Sequence, residues 1–249
     1  MPIFDLSTDK PIQLSYEGRE QPFQVNFYPS ATVRLPRYLL FLDLETNSLF
    51  GKISSNYLNV PTIIEYAIII YDRVTDSVVK TIIKEQGSLQ CLKDYVVSIW
   101  EDIKNAETQY PSLGLIAHNG FNFDFVILRY LAVYFNIPYN NNTLLFDSYD
   151  IAKSRITVIS NFRNTTLFER YASDLPIGPL DVKKEEAINL MKNAHTAHAD
   201  TKMMMLWFTR LIDMNKKFHT MRFSDLLVVN SEKIDIINIT ESDPFEDSD

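Results

Sequence analysis

The chain has 249 residues, 46% of them hydrophobic and 12% aromatic, which suffices for one sizeable core and excludes a disordered polypeptide. A formal net charge of −8 argues against broad electrostatic attraction to nucleic acid, although Glu241, Asp243, Glu246, Asp247 and Asp249 crowd much of it into the last ten residues. No stretch approaches the ~20 apolar residues of a membrane span, the opening MPIFDLSTDK has no signal-peptide pattern, and Cys91 as the only cysteine fits a reducing compartment. A cytoplasmic or nuclear protein, neither secreted nor membrane-bound, is the expectation.

Residues 1–37 read as an irregular or β-rich N-terminal arm, broken by Pro2, Pro11, Pro22, Pro29 and Pro36. The apolar run Tyr38–Leu44 predicts a buried strand. After a polar stretch from Asn47 to Asn59, Ile63–Asp72 predicts a second strand and Val78–Lys84 a third, joined by a turn at Thr75-Asp76. Val96, Ile99, Trp100 and Ile103 fall at helical spacing within Leu92–Ala106. A fourth strand, Leu113–His118, ends at Asn119-Gly120, and Phe123–Phe135 is helical. Leu144–Ser148 predicts a fifth strand, Lys183–Glu186 a charged helix face, and Thr196–Met214 a long helix whose methionines read as core filler. Three consecutive strands followed by strands alternating with helices predict an α/β fold on a mixed five-stranded sheet. A domain over 38–230 would then stand between the arm and an acidic tail, 231–249, whose composition predicts disorder.

FLDLET (Phe41–Thr46) ends its strand acid, apolar, acid. Strand side chains alternate, so Asp43 and Glu45 share a face that Leu44 does not. Two carboxylates side by side are costly unless a cation neutralises them, and hard divalent cations take oxygen ligands of this kind. D-x-E alone equally describes a strand turning polar at its mouth. Asp124 falls in the first turn of its predicted helix, where the helix dipole favours an anion with or without a ligand. His118 and Asn119 read as residues that fix the intervening loop by hydrogen bonds. Asp200 lies in the opening turns of the last helix and His195 on the segment before it. Histidine changes charge near neutral pH, so a loop His folded over the acids suits a general base. His198 lies about 200° around the helix from Asp200 and reads as surface or packing.

Three motifs in order, D-x-E-T at Asp43–Thr46, H-N-G-x-x-F-D-F at His118–Phe125 and H-x-A-x-x-D at His195–Asp200, resemble those of the DEDDh three-prime-to-five-prime exonucleases. The likeness covers about Tyr38 to Asp213 and is nearest to the three-prime repair exonuclease (TREX) family, through His-Asn-Gly before Asp124 and His-Thr-Ala before Asp200. The tyrosine subclass carries Tyr four residues before its last acid, where this chain has Thr196. The resemblance implies an RNase H-like fold and two Mg²⁺ ions, replaceable by Mn²⁺, on Asp43, Glu45, Asp124 and Asp200, with His195 as the base. It further implies substrate contacts from Thr46, Leu49, Phe50, Asn119 and Asn122, with Leu49 as a wedge against the terminal bases. Ser48 stands where the family usually has Gly, Asn122 replaces a basic residue, and Asn140–Asn142 occupies the region of a proline-rich insertion.

The implied substrate is single-stranded DNA or frayed 3' ends. RNA is the alternative, since a metal site acting at the phosphodiester does not report the 2'-hydroxyl. A nucleic-acid-binding or partner module without turnover is the reading from another class. Lys153, Arg155 and Arg163 could meet the phosphate backbone or simply be solvated, and Asp147 is similar to a supporting family residue. Val78–Lys84 reads as an edge strand, and the resemblance implies a possible homodimer through it.

Overall fold

Tyr38–Thr46 sends alternate side chains into two separate cores, and the fold is arranged around that division. In the computed structural model the described residues are 13–15, 23–27, 35–47, 51–54, 57–59, 61–87, 91–140, 143–156, 159–172, 184–218 and 234–238. Ten strands and six helices occur among them. They are β1 (Gln13–Ser15), β2 (Phe23–Phe27), β3 (Tyr38–Thr46), β4 (Gly51–Ser54), β5 (Tyr57–Asn59), β6 (Ile63–Asp72), β7 (Ser77–Glu85), α1 (Leu92–Gln109), β8 (Leu113–Ala117), α2 (Asp124–Tyr134), β9 (Leu144–Asp147), α3 (Ser148–Arg155), α4 (Asn164–Tyr171), α5 (Lys184–Lys192), α6 (Ala197–Phe218) and β10 (Ile234–Asn238).

The principal sheet runs β7-β6-β3-β8-β9. β3, β6 and β7 pair antiparallel, whereas β3–β8 and β8–β9 are parallel, so the predicted mixed five-stranded sheet is present. Short pairings join β1, β5 and β4, and β10 with β2. The polar stretch from Asn47 to Asn59 therefore contains two strands that its composition concealed. β10 falls within the stretch 231–249 expected to be disordered and pairs antiparallel with β2, so that expectation does not hold for Ile234–Asn238. The residues beyond Asn238 lie outside the described residues, as do Ser48, Leu49 and Phe50.

On one face Leu40, Leu42 and Leu44 of β3 meet Ile68 and Ile70 of β6, covered by Tyr95, Val96 and Ile99 of α1 and Ile127, Leu128 and Leu131 of α2. On the other, Leu39 and Phe41 pack with Ile69, Ile116 and Phe146 beneath Met203, Met204, Trp207 and Phe208 of α6. Each fully buried side chain of this size contributes roughly 1.5–3 kcal/mol. That exceeds the few tenths that separate residues in helix propensity. Packing therefore decides where α6 lies, and with it the position of Asp200. Two helices escaped the sequence reading. α3 starts directly at the end of β9, and α4 is an eight-residue element with only Leu167 and Phe168 fully buried.

Candidate active site

The strand acids sit at the C-terminal end of β3, on its α6 face. Leu44 is buried in the opposite core, while Asp43 and Glu45 are half-buried. A register shift between Glu45 and Thr46 ends the regular ladder, leaving Thr46 half-buried at the strand mouth. Asn47 closes the loop that follows, its N–H donating to Thr62 O at 3.1 Å and its Oδ1 accepting from Thr62 N at 3.0 Å.

α6 brings Asp200 to the same place. Thr196 begins the helix: its carbonyl accepts from Asp200 N at 3.0 Å and its Oγ1 from Ala199 N at 3.3 Å, the pattern of an N-terminal cap. One oxygen each from Asp43, Glu45 and Asp200 lie within 4.8 Å of one another. Asp43 Oδ2 is buried without a hydrogen-bond partner. An orphaned carboxylate oxygen among further carboxylates suits a hard divalent cation, because a bound cation would satisfy the oxygen and cancel the repulsion. The donor set therefore fits the implied metal.

Asp124 arrives from the other layer. It is the first residue of α2, is 2% exposed, and accepts the Leu44 N–H on Oδ1 at 3.0 Å. It is not one of the three carboxylates that converge within 4.8 Å, but its charge acts on Asp43. Burial pushes Asp43 well above the ordinary carboxylate range, and Asp124, Asp200, Glu45 and Glu65 push it further. Burial raises Asp124 to about 7. Glu45 is raised by burial and by Asp200, with His195 opposing. Asp200 is raised by burial, against the His195 N–H, the His195 ring and Asn164. Four acids that resist ionisation together mark a site built for a counter-charge.

His195 is exposed and occupies the left-handed region at φ 75°. Its N–H donates to Asp200 Oδ2 at 2.9 Å, so main chain and carboxylate hold each other, and the ring's charge acts on both Asp200 and Glu45. His198 is half-buried on α6, its pKa lowered by burial and by Lys202.

The loop before α2 is stapled from below. Asp147, at the end of β9, accepts Asn119 N and Tyr149 N on Oδ1, both at 2.9 Å, and Phe121 N on Oδ2 at 3.0 Å. His118 stands between Ser148 Oγ and Phe162 O, each 2.9 Å from a ring nitrogen, and burial lowers it to about 4. His118 is therefore a neutral structural group at physiological pH. Asn119 and Asn122 bond to each other, Nδ2 of Asn122 donating to Oδ1 of Asn119 at 2.8 Å. Of the other expected contacts, Leu49 and Phe50 lie outside the described residues. Lys153 is exposed beside the Tyr149 ring, and Arg163 is exposed at the cap of α4.

Two residues of the site have no sequence motif. Glu65 of β6 pairs directly with Glu45 across the ladder, and its Oε2 accepts the N–H of Ala197, the first residue of α6, at 3.1 Å. The positive end of a helix dipole there offsets part of the repulsion between the two glutamates. Asn164 opens α4 and donates from Nδ2 to Asp200 O at 2.8 Å. Proximity of Glu65 to Glu45 follows only from strand register, and that of Asn164 to Asp200 only from helix packing.

No protein-family profile matches the chain, and no curated protein matches it by sequence. Among solved structures it is similar to a full-length 3'-exonuclease, with a TM-score of 0.51 and 12% identity over 84% of this chain and 93% of that one. It is also similar to a 3'-exonuclease described in 3'-end-specific recognition of a histone mRNA stem-loop, with a TM-score of 0.52 and 12% identity over 85% and 94%. At this identity the likeness is one of fold: the chain shares the RNase H-like α/β architecture of 3'-exonucleases. Among the described residues no helix is long and apolar enough to cross a membrane.

Proposed function

We propose that the chain is a metal-dependent 3'–5' exonuclease of the DEDDh type, most like the TREX family, which removes nucleotides singly from DNA 3' ends. One observation carries the reading: Asp43, Glu45 and Asp200 each bring an oxygen within 4.8 Å of the others, and Asp43 Oδ2 is buried with no hydrogen-bond partner. Asp43, Glu45, Asp124 and Asp200 would hold the Mg²⁺ or Mn²⁺ ions. Two bound divalent ions stabilise the attacking and leaving oxygens of a phosphodiester displacement. His195, exposed beside Asp200, accepts the proton of the attacking water on its ring. Asp200 keeps the base in place through the His195 N–H. In this reading Thr46, Asn119 and Asn122 would contact the substrate, with Leu49 and Phe50 assigned to the terminal bases. Residues 38–230 form the exonuclease unit in this proposal, flanked by the arm and the acidic tail, and a homodimer would use the edge of β7.

RNA is the second reading, favoured by the likeness to a 3'-exonuclease described with a histone mRNA stem-loop. Incubation with Mg²⁺ and 5'-labelled single-stranded DNA, beside RNA of the same sequence and an Asp200→Ala control, tests both. A ladder shortening from the 3' end of DNA, absent in the control, is expected. Preference for the RNA would replace the substrate and keep the chemistry. No cleavage of either, with Mn²⁺ as well, would leave a binding module.

A further inference from the structure

Asp200 and Trp207 lie seven residues apart on α6, two turns along one face. Helical side chains lean toward the helix N-terminus, so the Trp207 indole reaches back in the direction of Asp200. One side chain from another helix spans the interval. Asn164, the first residue of α4, accepts the Trp207 Nε1–H on Oδ1 at 2.8 Å. Its Nδ2 donates to the Asp200 carbonyl at 2.8 Å and stands 3.4 Å from Asp200 Oδ1.

The indole nitrogen is what makes this arrangement directional. An indole N–H can only donate, whereas an amide offers an acceptor at one end and two donors at the other. Trp207 is 0% exposed, so water cannot replace its partner, and a buried N–H left unbonded is costly. The Asn164 oxygen must therefore face Trp207, which leaves its NH₂ aimed at Asp200. The other Asp200 oxygen, Oδ2, is taken by the His195 N–H at 2.9 Å. Both oxygens of this carboxylate are thus approached by donors whose own positions are set elsewhere.

We propose that Asn164 is a positioning residue that presents the Asp200 carboxylate to the divalent cation, with Trp207 holding the amide in the orientation required. The inference rests on the exonuclease reading of the acid cluster and deepens it. Neither Asn164, whose amide is engaged by Trp207 and Asp200, nor Trp207 would be a ligand of the cation. They act on where the Asp200 oxygens stand before a cation arrives, and loss of such supporting partners costs about 10–100-fold in metal affinity.

The diagnostic variant is Asn164→Asp. It keeps the size of the side chain and an acceptor for Trp207, but it replaces the donor facing Asp200 with an oxygen. A packing role alone would leave Mg²⁺ affinity unchanged, or tighten it, because the variant adds negative charge near the acids. The positioning role requires the opposite sign, a weakening of about tenfold. Mg²⁺ binding is measured by calorimetric titration of the full chain, with thermal denaturation in chelator to establish that each variant folds. Trp207→Phe is the second variant and keeps the aromatic bulk. It frees the amide to turn, and a weakening of about threefold or more is expected although residue 207 contacts no carboxylate. Mg²⁺ affinity that is equal or tighter in Asn164→Asp, or unchanged in Trp207→Phe, overturns the inference while wild-type cleavage keeps the exonuclease reading. Absence of Mg²⁺ binding by the wild-type chain overturns both.

Discussion

The Asp124 carboxylate accepts the main-chain N–H of Leu44, the residue between Asp43 and Glu45, at 3.0 Å. The helix acid is thereby bonded to the strand that carries the other two, and the opposite layers of the sheet meet at one turn of chain. Asp124→Asn keeps an acceptor for Leu44 and removes the charge. Because burial raises Asp124 to about 7, the variant should melt higher than wild type in chelator at pH 8. A rise of ~2 °C or more corresponds to about 1 kcal/mol in a chain of this size. Mg²⁺ affinity and cleavage should fall about 100-fold or more, the loss of a ligand exceeding that of a supporting contact. Unchanged Mg²⁺ affinity would remove Asp124 from the metal-binding set.

The clustered acids also set a pH dependence. Asp43, Glu45, Asp124 and Asp200 all have folded-state values raised, burial first among the causes. For an acid so shifted, the contribution to stability is fully present below the unfolded value of ~4 and is lost as pH rises through the folded one. For Asp124 that loss runs from ~4 to about 7 and tails off above it. His118 acts in the opposite sense, but most of its change lies below pH ~6.5. Between pH 6.5 and 8 the melting temperature in chelator should therefore fall, and the rise produced by Mg²⁺ should be larger at pH 8. A chelated protein that melts higher at pH 8 than at 6.5 would contradict the crowding of ionisable acids.

His118 separates support from chemistry. It is neutral and half-buried, and it bridges Ser148 Oγ, on a residue 0% exposed, to the Phe162 carbonyl. His118→Leu leaves both without a partner, and each orphaned polar group costs about 1–3 kcal/mol. The variant should melt several degrees lower yet bind Mg²⁺ within about threefold of wild type, well short of the 10–100-fold loss of a metal-supporting contact. A loss of cation affinity without a loss of stability would assign the histidine to the site instead.

How much of this was legible from the chain differs by residue. Asp43, Glu45, Asp124, Asp200 and His195 each lie within a local pattern: alternation on a strand, a turn at Asn119-Gly120, the start of a helix. Local physics brought those patterns out, and β6 matches its predicted bounds, Ile63–Asp72. Glu65 sits inside that same strand and looks there like one polar residue in an apolar run. Only the antiparallel register that sets it opposite Glu45 gives it meaning. Asn164 is 36 residues from Asp200 and belongs to a helix too short to produce a clear period. The small strands β4 and β5 were hidden for a related reason, since polar strands carry no hydrophobic alternation to detect.

Gly120 tests the loop that delivers Asp124. A Cβ there would stand 2.6 Å from the Ala117 Cβ and 2.8 Å from Phe125 Cε2. The Gly120 carbonyl also accepts the Phe125 N–H at 2.9 Å, so the first turn of α2 is tied to this residue. Gly120→Ala must push the loop away from β8 or α2 away from the loop, at a cost of about 1–3 kcal/mol. Cleavage should fall about tenfold or more, since small displacements of reacting groups are expensive, and Mg²⁺ affinity should weaken with it. Wild-type activity in this variant would show that the loop can shift without moving Asp124.

His195 links backbone strain to the proposed chemistry. A non-glycine residue at φ 75° is disfavoured by roughly 1–2 kcal/mol, and strain of this kind is retained where the surroundings over-determine it. Here the N–H bond to Asp200 Oδ2 holds the residue in place. His195→Ala keeps the strain and loses the imidazole, whereas His195→Gly loses both. Each variant should lose cleavage by about 10²–10⁴-fold, the range for a missing general base. The exposed ring contributes little to packing, so His195→Gly should be the more stable of the two by about 1 kcal/mol. Thermal denaturation of the pair beside their cleavage rates decides the matter. If both variants keep full activity, His195 is not the base, and half-buried His198, on α6 two residues before Asp200, becomes the residue to replace next.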